Sequence, residues 1–120
     1  MKDQGFPKKE KLKSKDDIAL LFKKGKWFSH GSLRIVFVKY EEGNSAKFGV
    51  SAAKKIFKKA VDRNRIKRLL REAYRLNKEE YHTAFGENKI AMLFYISPQK
   101  PLHFSEVEKA FLELCEARKR

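Results

Sequence analysis

The chain is short of acid, of cysteine and of long apolar runs. Against 29 lysines and arginines stand 15 aspartates and glutamates, so the net charge is +14 at pH 7. An excess of that size points to a polyanion partner, and by charge alone it admits RNA, DNA or an acidic membrane surface. The single cysteine, Cys115, has no partner in the chain. That excludes an internal disulfide and fits a reducing compartment. No apolar run reaches the length of a membrane span, and the N-terminus lacks the hydrophobic segment of a signal peptide. Cytoplasmic residence is therefore expected. There is no internal repeat, no low-complexity linker and no glycine-rich phosphate loop.

Catalytic groups are also missing. The three histidines, His30, His82 and His103, stand far apart with no common motif. His82 and His103 fall in expected loops. Asp16-Asp17 reads as the acidic first turn of a helix, and Glu41-Glu42 as a solvated turn. A metal-dependent nuclease needs two or three carboxylates converging on one site, and nothing in the sequence points to such a site. No catalytic residue and no metal held by a protein motif are expected.

What the chain does have is a folded core and one concentrated run of cations. Its 120 residues, 42% hydrophobic, suffice for one domain and leave no room for a second. Between Lys54 and Arg71 lie nine lysines and arginines and one acid, Asp62. From Ile66 onward the pattern is helical. Ile66, Leu69, Leu70, Ala73 and Leu76 share one face. Asn64, Lys67, Arg68, Arg71 and Arg75 share the opposite face, with Arg63 and Arg65 at its flanks. Asp62 is the expected N-cap. One face thus anchors to a core. The other offers cations at intervals of roughly 5–6 Å, close to the spacing of phosphates along a strand. A solvated face would alternate signs for i,i+4 pairing, whereas this one crowds like charges together.

Taken in order, residues 1–13 are expected to form a flexible basic arm, and residues 14–120 a single RNA-binding domain. Ser14 and Asp17 make a capping-box-like start to a first helix. Ile18, Leu21 and Phe22 are its apolar stripe, and Gly25, able to adopt positive φ, follows it. Lys26–Ser29 reads as a short edge strand and Leu33–Tyr40 as a clear strand, with Arg34, Val36, Val38 and Tyr40 on one of its faces. Glu41–Ala46 is a turn, and Lys47–Ala53 the returning strand. After the basic helix, Asn77 is the expected C-cap, followed by a polar loop through Asn88. Ile90–Ile96 is a continuous apolar run, as in a buried central strand. Ser105 with Glu108 makes a capping box for a last helix carrying Val107, Ala110, Phe111 and Leu114. The fold expected is α+β, in the order αβββαβα, with a mixed sheet of about four strands and helices packed on it.

The string Ala60–Glu72, AVDRNRIKRLLRE, resembles the signature of the bacterial ribonuclease P protein subunit. The Arg-Asn-Arg core stands at Arg63-Asn64-Arg65, followed by Lys67, Arg68, Arg71 and Glu72. Phe48–Val61 is similar to the strand-then-lysines lead-in, with Lys54 and Lys55, and Asp17–Gly25 to the first helix. The resemblance implies a left-handed crossover between parallel strands, where general rules favour the right-handed form. It implies that a large partner RNA with bound magnesium does the cutting. The protein would hold the ribonuclease P RNA through Lys54, Lys55, Arg63, Asn64, Arg65, Lys67, Arg68 and Arg71. It would guide the 5′ leader of precursor tRNA along a cleft at Phe22, Ile18 and Val36. Ile18 is not aromatic, so one stacking contact there is absent or only apolar.

A ribosomal-type or chaperone RNA-binding module with no role in cleavage would explain the charge and the fold, but not the full Arg63–Glu72 string. A stand-alone nuclease is the third reading. On the face assignment above, Arg65→Ala and Arg68→Ala should both weaken RNA binding and leave the fold intact, while Leu69→Ala should destabilise it.

Overall fold

The computed structural model describes residues 11–12, 14–39, 47–87 and 89–120. The elements are α1 (Lys15–Lys24), β1 (Lys26–His30), β2 (Leu33–Lys39), β3 (Lys47–Ala52), α2 (Ala60–Leu76), α3 (Lys78–Phe85), β4 (Lys89–Tyr95) and α4 (Phe104–Lys119). The sheet order is β1-β2-β4-β3. The β1–β2 and β2–β4 pairs are antiparallel, and β3–β4 is parallel, joined through α2 and α3. The α+β sheet expected from the sequence is present, with β4 in its interior, as a strand apolar on both faces requires.

The sheet has two unequal cores because its strands are buried on both sides. Leu33, Ile35 and Phe37 of β2, with Ala91, Leu93 and Tyr95 of β4, join Phe48, Ile66, Leu70, Tyr74, Phe111 and Leu114 in the larger core, covered by α2, α3 and α4. Alternation puts Val36 and Ile90 on the other face, where Leu21 of α1 closes a smaller core. Burying Leu21 contributes about 1.5–3 kcal/mol.

Several local expectations are corrected. Ser14 does cap α1, its hydroxyl accepting from the Asp17 N–H at 3.3 Å. Gly25, however, has φ −73° rather than a positive value. Glycine is needed there for space: a Cβ would lie 2.3 Å from the Leu21 carbonyl oxygen and 2.7 Å from Val36 Cγ2. α2 starts at Ala60 with Lys59 as N-cap, so Asp62 lies inside the first turn and pairs with Lys100 at 3.2 Å. Asn77 ends α2 but does not open a polar loop, because α3 follows at once. Its Tyr81 and Phe85, one turn apart, are buried in the larger core. His82 therefore lies on a helix. α4 begins at Phe104 with His103 as N-cap, and it is Glu106, not the expected Ser105–Glu108 pair, that reaches back to accept from the Leu102 N–H at 3.1 Å.

Leu76, expected on the buried stripe, is 51% exposed. It continues the row of Leu69, itself only partly buried, while Tyr74 takes the core position and stacks on Phe48 at 3.9 Å. Of the expected N-terminal arm, residues 11–12 are described: Lys11 bridges Phe48, and the Leu12 N–H donates to the Phe48 carbonyl at 3.2 Å. The remainder of that arm, Tyr40 and the expected turn Glu41–Ala46 lie outside the described residues.

Candidate nucleic-acid interface

The helix that carries the cations is held from below by Ile66, Leu70, Ala73 and Tyr74, all buried. Its outward side chains divide into two groups. Arg63 and Arg65 face protein. Arg63 Nη1 donates to the carbonyls of Phe57 at 2.8 Å and Lys58 at 2.9 Å. Arg65 donates from Nη1 to Pro101 O at 2.6 Å and from Nη2 to Leu102 O at 3.0 Å. Each clamps a loop entering a helix, and each keeps its charge because the acceptors are neutral. Neither bond set exhausts the five donors of a guanidinium.

Asn64, Lys67, Arg68 and Arg71 form the second group. Asn64 and Arg68 are exposed, Lys67 and Arg71 partly buried. Lys67, Arg68 and Arg71 have no ion-pair partner among the described residues. The two acids of α2 nearest to them are already engaged: Asp62 with Lys100 and Glu72 with Arg75. The hydrogen bond from Arg75 holds the Glu72 carboxyl below its usual range, against the opposing effect of burial. Arg75 is thus a neutralised member of the expected cationic face. Lys54 and Lys55, in the turn after β3, are exposed and likewise without an ion pair among the described residues.

The second region lies on the opposite sheet face, beside α1. Phe22 is 47% and Trp27 43% exposed. With Phe94 they form a triangle of rings, centroids 5.9 Å apart for Phe22–Trp27, 6.3 Å for Phe22–Phe94 and 5.7 Å for Trp27–Phe94. The Arg34 guanidinium lies over Trp27, 4.4 Å from the ring centroid. Cross-strand register brings these residues together: Trp27 sits opposite Val36, and Arg34 opposite Phe94.

Of the cleft residues expected from the sequence, Phe22 is in this triangle and Ile18 is partly exposed on α1. Val36 is not available. It is 0% exposed, sealed under α1 with Leu21 and Ile90. Trp27, Arg34 and Phe94 take its place at the surface. Trp27 is the chain's single tryptophan, and a tryptophan in a short edge strand was the one signal that could have marked the spot. Phe94 was hidden inside an unbroken apolar run.

Phe94 pairs in register with Ser51 of β3, and the chain leaves that strand at Ala52 for the turn that carries Lys54 and Lys55. Among the described residues, no group of three or more His, Cys, Asp or Glu side chains could hold a metal ion. Cys115 is buried, and burial pushes its thiol up to about 12.

A cationic helix on one side of a mixed four-stranded sheet, and an exposed aromatic cluster on the other, are the features of a protein that holds RNA. A family model described as Ribonuclease P matches residues 6–118, and the chain belongs to that family. It is 40% identical over 110 residues to the ribonuclease P protein component of Porphyromonas gingivalis, covering 88% of this chain and 80% of the relative. It is 34% identical over 114 residues to that of Dictyoglomus turgidum, covering 92% and 90%. The fold matches the solved RNase P proteins of Staphylococcus aureus (TM-score 0.75, 22% identity, 92% of this chain and 95% of that one) and Thermotoga maritima (TM-score 0.72, 24% identity, 90% and 96%). The chain is the protein component of an endoribonuclease holoenzyme that processes tRNA, and a ribosomal-type module is not supported.

Proposed function

We propose that this protein binds the ribonuclease P RNA through the outward face of α2 and the turn at Lys54 and Lys55, and steers the 5′ leader of precursor tRNA across the aromatic face. The observation that carries this reading is the row Lys67, Arg68 and Arg71, fixed on a buried-stripe helix and left without carboxylate partners among the described residues. Such a row lowers its own repulsion when phosphates replace mobile counterions, and the gain falls steeply with salt. Lys54 and Lys55 extend the same field toward the sheet. Asn64 adds a neutral donor and acceptor between the clamping arginines. Phe22, with Trp27 and Phe94, offers π faces on which any base can stack, and Ile18 adds apolar surface alongside.

Cleavage chemistry is assigned to the partner RNA, with magnesium held mainly there. The protein's contribution is to screen phosphate repulsion between two RNAs and so lower the magnesium needed to bring them together. Residence is in the cytoplasm, in keeping with a buried free thiol. The test is reconstitution with the RNA subunit and precursor tRNA at low magnesium. Accurate 5′ cleavage should rise when the protein is added. Cleavage no better than with RNA alone would overturn the proposal, and so would accurate cutting by the protein without RNA.

A further inference from the structure

The aromatic triangle explains stacking, which is indifferent to base identity. It does not explain Arg34. An arginine whose guanidinium sits over a tryptophan ring is held by the ring's negative face, and its five N–H donors lie in the plane of the guanidinium. Arg34 has no hydrogen-bond or ion-pair partner among the described residues, so those donors are unspent. The flanking residues in register are Ser29 on one side and Phe94 on the other. None of the four strands contains an aspartate or glutamate. This face therefore presents fixed donors beside stacking surface, and its strands offer no competing carboxylate.

We propose that the Trp27–Arg34 pair reads the identity of one leader base, preferring guanine to adenine. The proposal rests on the reading that this face holds single-stranded leader. Guanine and adenine stack with similar π surfaces, so stacking on Trp27 and Phe94 does not separate them. Their edges do. Guanine presents N7 and O6 as adjacent acceptors, which match a guanidinium fork. Adenine presents N7 beside the N6 amino group, a donor that would meet the fork's N–H. Lysine has the same charge but no fork, so charge alone cannot give this preference.

Trp27 supplies its own reporter, because it is the only tryptophan in the chain. The full-length protein is titrated with short oligouridylates carrying one central guanosine or one central adenosine, and quenching of Trp27 fluorescence is followed. Total binding is followed in parallel by anisotropy of labelled oligonucleotides. Both oligonucleotides should quench, with the guanosine form binding about five-fold tighter or more. In Arg34→Lys, quenching should persist while the preference falls to near one, with an unchanged thermal melt. Equal affinities in the unsubstituted protein, or a preference that survives Arg34→Lys, would overturn the inference and leave the leader-face reading standing. Binding seen by anisotropy without any quenching of Trp27 would overturn both.

Discussion

Of the five cations from Arg63 to Arg71 on α2, two are occupied with the protein's own backbone and three are not. That division changes what a single substitution should do. Arg68 is exposed and lies off the buried stripe. Arg68→Ala should leave the melting temperature unchanged and reduce the slope of log K against log salt by about 0.7 for a single-strand contact. Arg65 holds the carbonyls of Pro101 and Leu102. Arg65→Ala should lower stability by about 1–2 kcal/mol as well as weaken RNA binding, measured by urea denaturation. The two variants looked alike from the sequence, because a helical wheel shows which face a residue is on but not which loop reaches it. Buried hydroxyl and thiol groups make a second contrast. Tyr81 Oη is buried without a hydrogen-bond partner among the described residues, so Tyr81→Phe should be neutral or stabilise by about 1 kcal/mol.

Burial also makes the fold sensitive to alkali. The Cys115 thiol, ordinarily near 9.0, is pushed up to about 12 mainly by desolvation. Above pH 9 the unfolded chain gives up a proton that the folded chain keeps, so stability falls as pH rises through that window. The loss between pH 8 and pH 10 should be about 1 kcal/mol from this group alone. Denaturation at both pH values should show the difference shrinking in Cys115→Ala. Tyr81, also raised by burial, adds a fall in the same direction above about pH 10.

At the scale of elements, α2 matters as a rigid rod. Leu70 is fully buried at its centre, and Leu70→Ala should cost about 2–5 kcal/mol. Leu69, partly buried, should cost less, and Leu76→Ala should stay within about 0.5 kcal/mol. Leu69 and Leu70 share the stripe expected from the sequence, and of the two Leu70 is the fully buried one while Leu69 packs at the core's margin. α3 was read as a loop because Lys78, Glu79 and Glu80 mask its start. Eight residues carry too few apolar positions to show a period, and only packing of Tyr81 and Phe85 under α4 makes the helix worthwhile.

For the whole molecule, the arrangement of the two faces is what counts. α2, α3 and α4 cover one side of the sheet; among the described residues, α1 and Leu12 pack on the other, where Phe22 and Trp27 are exposed beside Phe94. The turn at Lys54 and Lys55 lies along the chain between β3 and α2. Replacing both lysines by alanine should lower the salt slope by about 1.4 while leaving the melt unchanged, because both side chains are exposed and unpaired among the described residues.

The sequence alone was enough for the sheet-and-helix order apart from α3, the single basic ridge and the family, because periodicity and charge density are local properties written in neighbouring residues. It was not enough for the aromatic face of the sheet. Whether Val36 or Trp27 reaches solvent depends on where α1 lands, and whether Arg34 meets Trp27 depends on strand register. Both are settled by contacts between segments distant along the chain, where packing rather than local pattern chooses which side chain is sealed and which is left out.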